Sequence, residues 1–139
     1  MIVADTGAII ALIDADDRHH AALRKLFESK PEAWVLPWAI LPEVDYLLAA
    51  HVGRGAEEAF LADLANGAFA VEWGDDADLA GADRLCRRYR KLGLGLVDAV
   101  VMTIAERLRS EAIATLDLRH FGAVRLSGNP KLLPRDLPR

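Results

Sequence analysis

The sequence predicts an α/β fold: one domain built on a parallel sheet of about five strands, with helices on both faces. Three observations carry this. Short apolar runs, among them Ile2-Val3-Ala4 and Ala112-Ile113-Ala114-Thr115, recur between longer segments with helical spacing. The runs are continuous instead of alternating, as expected for strands buried on both sides. The length, 139 residues, fits one domain and leaves no room for two ordinary ones.

Each element follows in order. Ile2-Val3-Ala4 is a buried strand ending at Asp5-Thr6-Gly7. Residues 7–13 are apolar nearly all round and predict a buried helix, followed by a polar loop over 14–17. The spacing of Ala22, Leu23, Leu26 and Phe27 predicts a helix over 18–30. Trp34-Val35-Leu36 is a second strand, closed by Pro37. Val44, Leu47 and Leu48 follow at helical spacing; Pro42 is tolerated only in a first turn, which puts the helix start near Leu41 and its end at Gly53. A helix over 56–65 ends at Asn66-Gly67. Residues 69–73 form a third strand, and Asp75 or Asp76 caps a helix running to about Lys91. Val97, Val100, Val101, Ile104 and Leu108 make one stripe of a helix over 97–109. Residues 112–115 are the fourth strand and 123–126 the expected fifth. The domain is read as 1–139, with 127–139 as a loosely packed C-terminal arm carrying three prolines.

Composition narrows the function. Apolar residues make up 53% of the chain, enough for a core and against disorder. No run of about 18 apolar residues exists, so no membrane span is expected. Met1-Ile2-Val3-Ala4-Asp5 lacks a basic leader, and the single cysteine, Cys86, excludes an internal disulfide framework; both fit a cytoplasmic setting. The net charge of −4 argues against nucleic acid as a partner when taken alone. Yet Arg84, Arg87, Arg88, Arg90 and Lys91 crowd together, and a cation held in an acidic cleft reverses the local field.

Four acids stand where this architecture builds sites. Asp5 closes strand one and Asp117 follows strand four, and sites in parallel sheets form outside the carboxyl ends of the strands. Glu43 and Asp98 open two helices. Four carboxylates brought to one rim repel each other, and a hard divalent ion such as Mg²⁺ or Mn²⁺ relieves this. No His/Cys spacing suits zinc. An acid at a helix start is otherwise a cap, so the set means more than its members; Asp5 is the member that capping explains least.

The residues Ile2-Val3-Ala4-Asp5-Thr6-Gly7-Ala8, Pro42-Glu43-Val44, Gly95-Leu96-Val97-Asp98-Ala99 and Ala114-Thr115-Leu116-Asp117 with His120-Phe121 resemble the motifs of PIN-domain ribonucleases, most of all VapC-type toxins. The resemblance spans nearly the whole chain in order. It implies a parallel sheet of about five strands, Mg²⁺ or Mn²⁺ held by Asp5, Glu43, Asp98 and Asp117, and endonucleolytic RNA cleavage. It also implies a cognate antitoxin, homodimers and toxin–antitoxin hetero-oligomers, with DNA contacted only through the antitoxin. Thr6 and Thr115 match the family's hydroxyl positions beside the first and last acids. Gly7 stands where many relatives have a second hydroxyl, and Pro42 is less usual before the second acid.

The remaining features have two readings each. Arg84, Arg87, Arg88 and Lys91 share one helical face if the helix runs through Lys91; that face is either solvated or a track for RNA phosphates. Thr115 is placed to orient Asp117. His120 is read as shaping the turn after Asp117, and Trp34, Trp38 and Trp73 as packing. The apolar helices near 38–48 and 60–64 suit a dimer face, an antitoxin groove or plain core burial. A dehalogenase-like phosphatase would need a second Asp two residues after Asp5, where Gly7 stands. A non-catalytic PIN module that binds RNA or protein is the alternative, although such a module is expected to have lost acids and this chain keeps all four.

Overall fold

In the computed structural model, which describes residues 1–138, five parallel strands line up in the order β3-β2-β1-β4-β5. They are β1 (Ile2–Ala4), β2 (Trp34–Pro37), β3 (Ala70–Glu72), β4 (Ala112–Ala114) and β5 (Lys131–Leu133). Seven α-helices connect and follow them: α1 (Thr6–Ile13), α2 (His20–Ser29), α3 (Leu41–Leu47), α4 (Arg54–Ala65), α5 (Asp76–Arg88), α6 (Leu96–Arg107) and α7 (Leu118–Phe121). Every residue of β1, β2 and β4 is buried. Neighbouring strand residues point to opposite faces, so both faces of the sheet are covered. None of the described helices is long and apolar enough to cross a membrane.

β1 is the central strand. It pairs with β2 (Ile2 with Trp34) on one side and with β4 (Ile2 with Ala112) on the other. This pairing sets the carboxyl ends of β1 and β4 next to each other. The Asp5 amide continues the ladder past the strand end by donating to the Ala114 carbonyl (2.9 Å).

Local chemistry explains the helix boundaries. α3 begins at Leu41 with Pro42 in its first turn, as the proline requires. Asp75 caps α5 with a reciprocal box: its carboxylate accepts from Ala77 N, and Asp78 Oδ2 accepts from Asp75 N (2.9 Å in each case). α5 and α6 approach closely because Gly81 has no side chain; a Cβ there would lie 2.6 Å from Thr103 Cγ2. Leu23 of α2 is fully buried, and cutting it to alanine costs about 2–5 kcal/mol.

Three expectations need correction. The fifth strand is not 123–126; it is Lys131–Leu133, inside the segment read as a loose arm. There the Thr115 amide donates to the Leu133 carbonyl (2.9 Å) and the Lys131 amide to Glu111 (2.9 Å), and Leu132 and Leu133 are buried. The run is only three residues long and flanked by prolines, so its strand character comes from pairing with β4, not from local pattern. α1 starts at Thr6, one residue early, because Asp5 caps it. α5 stops at Arg88, since Tyr89 leaves the helical region and Gly93 follows with φ +65°. Lys91 therefore sits in a separate 3₁₀ turn and does not share a helical face with Arg84, Arg87 and Arg88.

Candidate active site

Asp5 and Asp117 both stand just beyond strand ends, and each caps the helix that follows. Asp5 Oδ1 accepts from the Thr6 amide (2.8 Å) and its Oδ2 from the Thr115 hydroxyl (2.9 Å). Asp117 Oδ1 accepts from the His120 amide (3.1 Å). Thr115 joins the two: while its hydroxyl donates to Asp5, its oxygen accepts from the Asp117 amide (3.1 Å). The Thr115 hydroxyl was expected to orient the Asp117 carboxylate. It instead orients Asp5, because the two strand ends are adjacent and the Asp117 side chain turns towards α7.

Asp98 reaches the same place from the first turn of α6. Asp98, Asp117 and His120 offer ligand atoms within 4.8 Å of one another. His120 Nδ1 lies 2.7 Å from Asp117 Oδ2 and 3.6 Å from Asp98 Oδ2. Its Nε2 lies 3.1 Å from the Leu92 carbonyl. Both ring nitrogens thus face acceptors, an arrangement that needs an N–H on each and favours the imidazolium. The Asp117 carboxylate first, and then the Leu92 carbonyl and the Asp98 charge, raise the His120 pKa against the opposing effect of burial. Sequence reasoning gave this histidine only a turn-shaping part. The available signal was its position three residues after Asp117, which puts both on one side of a helical turn.

The acids respond to one another. Burial pushes Asp5 up from 3.8 to about 6, although Thr115 and the Thr6 amide pull it down; the charges on Asp98 and Asp117 add to the rise. Asp98 is raised by burial first and by Asp117 next, with Glu43 adding and His120 opposing. Burial also pushes Asp117 up, but its hydrogen bonds from the His120 ring and amide outweigh this and hold it below the ordinary value. Glu43 lies in the first turn of α3 and is exposed, near enough for its charge to act on Asp98. The structure thus gathers Asp98, Asp117 and His120 closely, ties Asp5 to Asp117 through Thr115, and leaves Glu43 at the edge. Thr6 is buried beside Asp5, and its Oγ1 has no protein partner.

Two residues of the basic stretch are engaged locally. Arg87 pairs with Asp83 one turn back (3.0 Å), and the Arg88 guanidinium stands 5.5 Å from the centre of the Tyr89 ring. Arg84 and Arg88 line a groove with Thr103 and Glu106 of α6. At the other end of α6 from Asp98, Arg107 grips Asp78 of α5 through Nε and Nη2 (2.8 Å each) and Glu72 of β3 (2.9 Å).

The PIN domain family matches residues 2–125. Ribonuclease VapC26 of Mycobacterium tuberculosis is 37% identical over 127 residues, covering 91% of this chain and 94% of that protein. Among solved structures, M. tuberculosis VapC20, described as a sarcin-ricin loop cleaving toxin, superposes with a TM-score of 0.80 at 23% identity, over 92% of this chain and 98% of that one. A DNA-bound VapBC of Salmonella typhimurium gives 0.70 at 17% identity, over 94% and 95% of the two chains. These two likenesses show a shared fold. The match across residues 2–125 and the kinship with VapC26, taken with the acids gathered at the ends of β1 and β4, establish that this chain belongs to the PIN-domain family, among its VapC members.

Proposed function

We propose that this chain is a Mg²⁺- or Mn²⁺-dependent endoribonuclease and the toxin of a toxin–antitoxin pair. The observation that carries the reading is the meeting of Asp5, Asp98 and Asp117 at one rim of the sheet. Their donors are all oxygen, as a hard divalent ion prefers. Asp5 and Asp98 are held above their ordinary pKa values by burial and by neighbouring negative charge, a strain that a cation relieves. The unpartnered Thr6 hydroxyl adds a further buried oxygen beside Asp5. Asp5, Asp98 and Asp117 would hold the ion. When bound, such an ion lowers the pKa of a ligated water and offsets charge on the phosphate under attack.

The chain's own groups divide the rest of the work. Thr115 and the Thr6 amide fix the Asp5 carboxylate in one orientation, and the His120 ring does the same for Asp117. Glu43, exposed at the rim and close enough for its charge to act on Asp98, would be the group to take a proton from the attacking water. The products are a 5′-phosphate and a 3′-hydroxyl. The basic groups Arg84, Arg87, Arg88 and Lys91 serve as the approach for the RNA backbone, and charge reversal at Arg84 and Arg88 should flatten the salt dependence of RNA binding.

Incubating the purified chain with RNA tests the reading. Cleavage should require Mg²⁺ or Mn²⁺, stop on chelation and vanish in Asp5→Asn with the fold intact. Undiminished metal-dependent cleavage by Asp5→Asn would overturn the assignment, and RNA binding without cleavage would favour the non-catalytic module. The antitoxin partner follows from kinship with VapC proteins, several of which have been solved as VapBC complexes. A small reading frame beside the gene, whose product co-purifies with this chain and blocks cleavage, is the expected partner.

A further inference from the structure

A second pocket opens on the same rim. It has a volume of about 350 Å³. Thr115, Leu116 and Leu118 form one wall, where β4 passes into α7. Pro134 and Arg135, just after β5, form the second, and Arg18 and His19, just before α2, close it. The lining therefore combines an apolar slot with guanidinium groups on two sides. Thr115 is shared with the acidic centre, because its hydroxyl is bonded to Asp5.

We propose that this pocket is the subsite for the nucleotide next to the scissile phosphate of single-stranded RNA, with the base against Leu116, Leu118 and Pro134 and the phosphates on Arg18 and Arg135. The inference rests on the ribonuclease reading above. The volume lies at the small end of the roughly 300–1,000 Å³ range of ligand pockets, suiting one planar base. Leu118 is the first residue of α7, directly after Asp117, and is 43% exposed. That places an accessible apolar side chain at the mouth of the pocket, where a base can stack on it. Arg18 directs its Nε onto His19 (3.1 Å) and not onto an acid. Arg135 holds its neighbour Asp136 through Nε and Nη2 (2.8 and 3.0 Å), yet its guanidinium stays half exposed, and a phosphate can meet it from the open side. Because Thr115 forms part of the wall, a base seated here places its own backbone beside Asp5.

The test uses the full chain carrying Asp5→Asn, so that RNA is not consumed, and a labelled single-stranded RNA of mixed sequence read by fluorescence anisotropy. Adding Leu118→Asp should weaken binding about tenfold. An acid at the start of a helix is favourable, so this variant should fold, and Leu118→Ala provides a milder second version. Adding Arg18→Ala with Arg135→Ala should reduce the slope of log affinity against log salt by about 1.4. Affinities within about twofold of the parent and an unchanged slope would overturn the subsite, as would a parent that binds no RNA. Cleavage by the unmutated chain separates the two ideas. Metal-dependent cleavage, with the pocket variants binding as well as the parent, removes the subsite alone. Pocket-dependent binding without cleavage under any divalent ion removes the nuclease reading, and with it the scissile phosphate, and leaves the pocket as an RNA-binding site.

Discussion

The Thr115 hydroxyl donates to Asp5 Oδ2 at 2.9 Å, linking positions 110 residues apart. That contact is itself held from outside, since the Thr115 amide is bonded to Leu133 of β5. Thr115→Val keeps the shape but leaves Asp5 short of a donor and the Asp117 amide short of an acceptor. We expect RNA cleavage to fall about tenfold to a hundredfold and stability to drop by about 1–3 kcal/mol. Thr115→Ser, which keeps the hydroxyl, should recover most of the rate; an equal loss in both variants would show that packing, not the hydrogen bond, is at work.

Asp5 predicts a pH trend. Its folded pKa of about 6 lies above the ordinary 3.8, so the folded protein keeps a proton that the unfolded chain has already released. Stability from this group is therefore full below pH 4, falls between pH 4 and 6 and stays lost above, on the order of 3 kcal/mol. In chelator, Asp5→Asn should melt several degrees above the parent at pH 8, and the gap should close towards pH 4. Mg²⁺ should raise the melting temperature of the parent and leave the variant nearly unmoved.

His120 acts in a neighbouring window. Its folded pKa is raised above 6.5, so its contribution is full below that value and fades as pH rises through the folded one. Chelated His120→Ala should be clearly less stable than the parent at pH 6 and close to it at pH 9. A constant difference at both pH values, measured by thermal unfolding, would show that the imidazolium is not what stabilises the cluster.

Asp78 is 2% exposed and depends on Arg107 for its charge balance. The two hydrogen bonds from Arg107 hold its carboxyl below the usual range, outweighing the effect of burial. Arg107→Ala leaves this buried carboxylate with the Asp75 amide but no counter-charge, which costs about 3–5 kcal/mol. Adding Asp78→Asn should restore much of the loss. Chemical denaturation of both variants checks this, and additive losses would rule out coupling.

The sequence made visible what local pattern encodes. Ile2-Val3-Ala4 and Ala112-Ile113-Ala114 read as buried strands because every residue is apolar, and Pro42 marked the start of α3. β5 escaped, since Lys131-Leu132-Leu133 carries no pattern until β4 supplies its hydrogen bonds. The same divide runs through the site. Asp5, Asp98 and Asp117 were legible because each closes a strand or opens a helix. That Thr115 serves Asp5, that His120 bridges Asp117 and the Leu92 carbonyl, and that Arg107 holds an acid 29 positions away are tertiary facts which no local spacing announces.

The pairing of β1 with β4 also fixes when the centre can exist during synthesis. Asp5 leaves the ribosome early, but its partner Thr115 is made 110 residues later, roughly 5–20 seconds on at ordinary elongation rates. Throughout that interval the nascent chain carries its first acid without the hydroxyl that fixes it and without Asp117. A product truncated before Ala112 has no strand to set against one edge of β1, and no Asp117 at all. The translating ribosome therefore handles an inert polypeptide, which gains its cutting centre only once the second half of the sheet has been made.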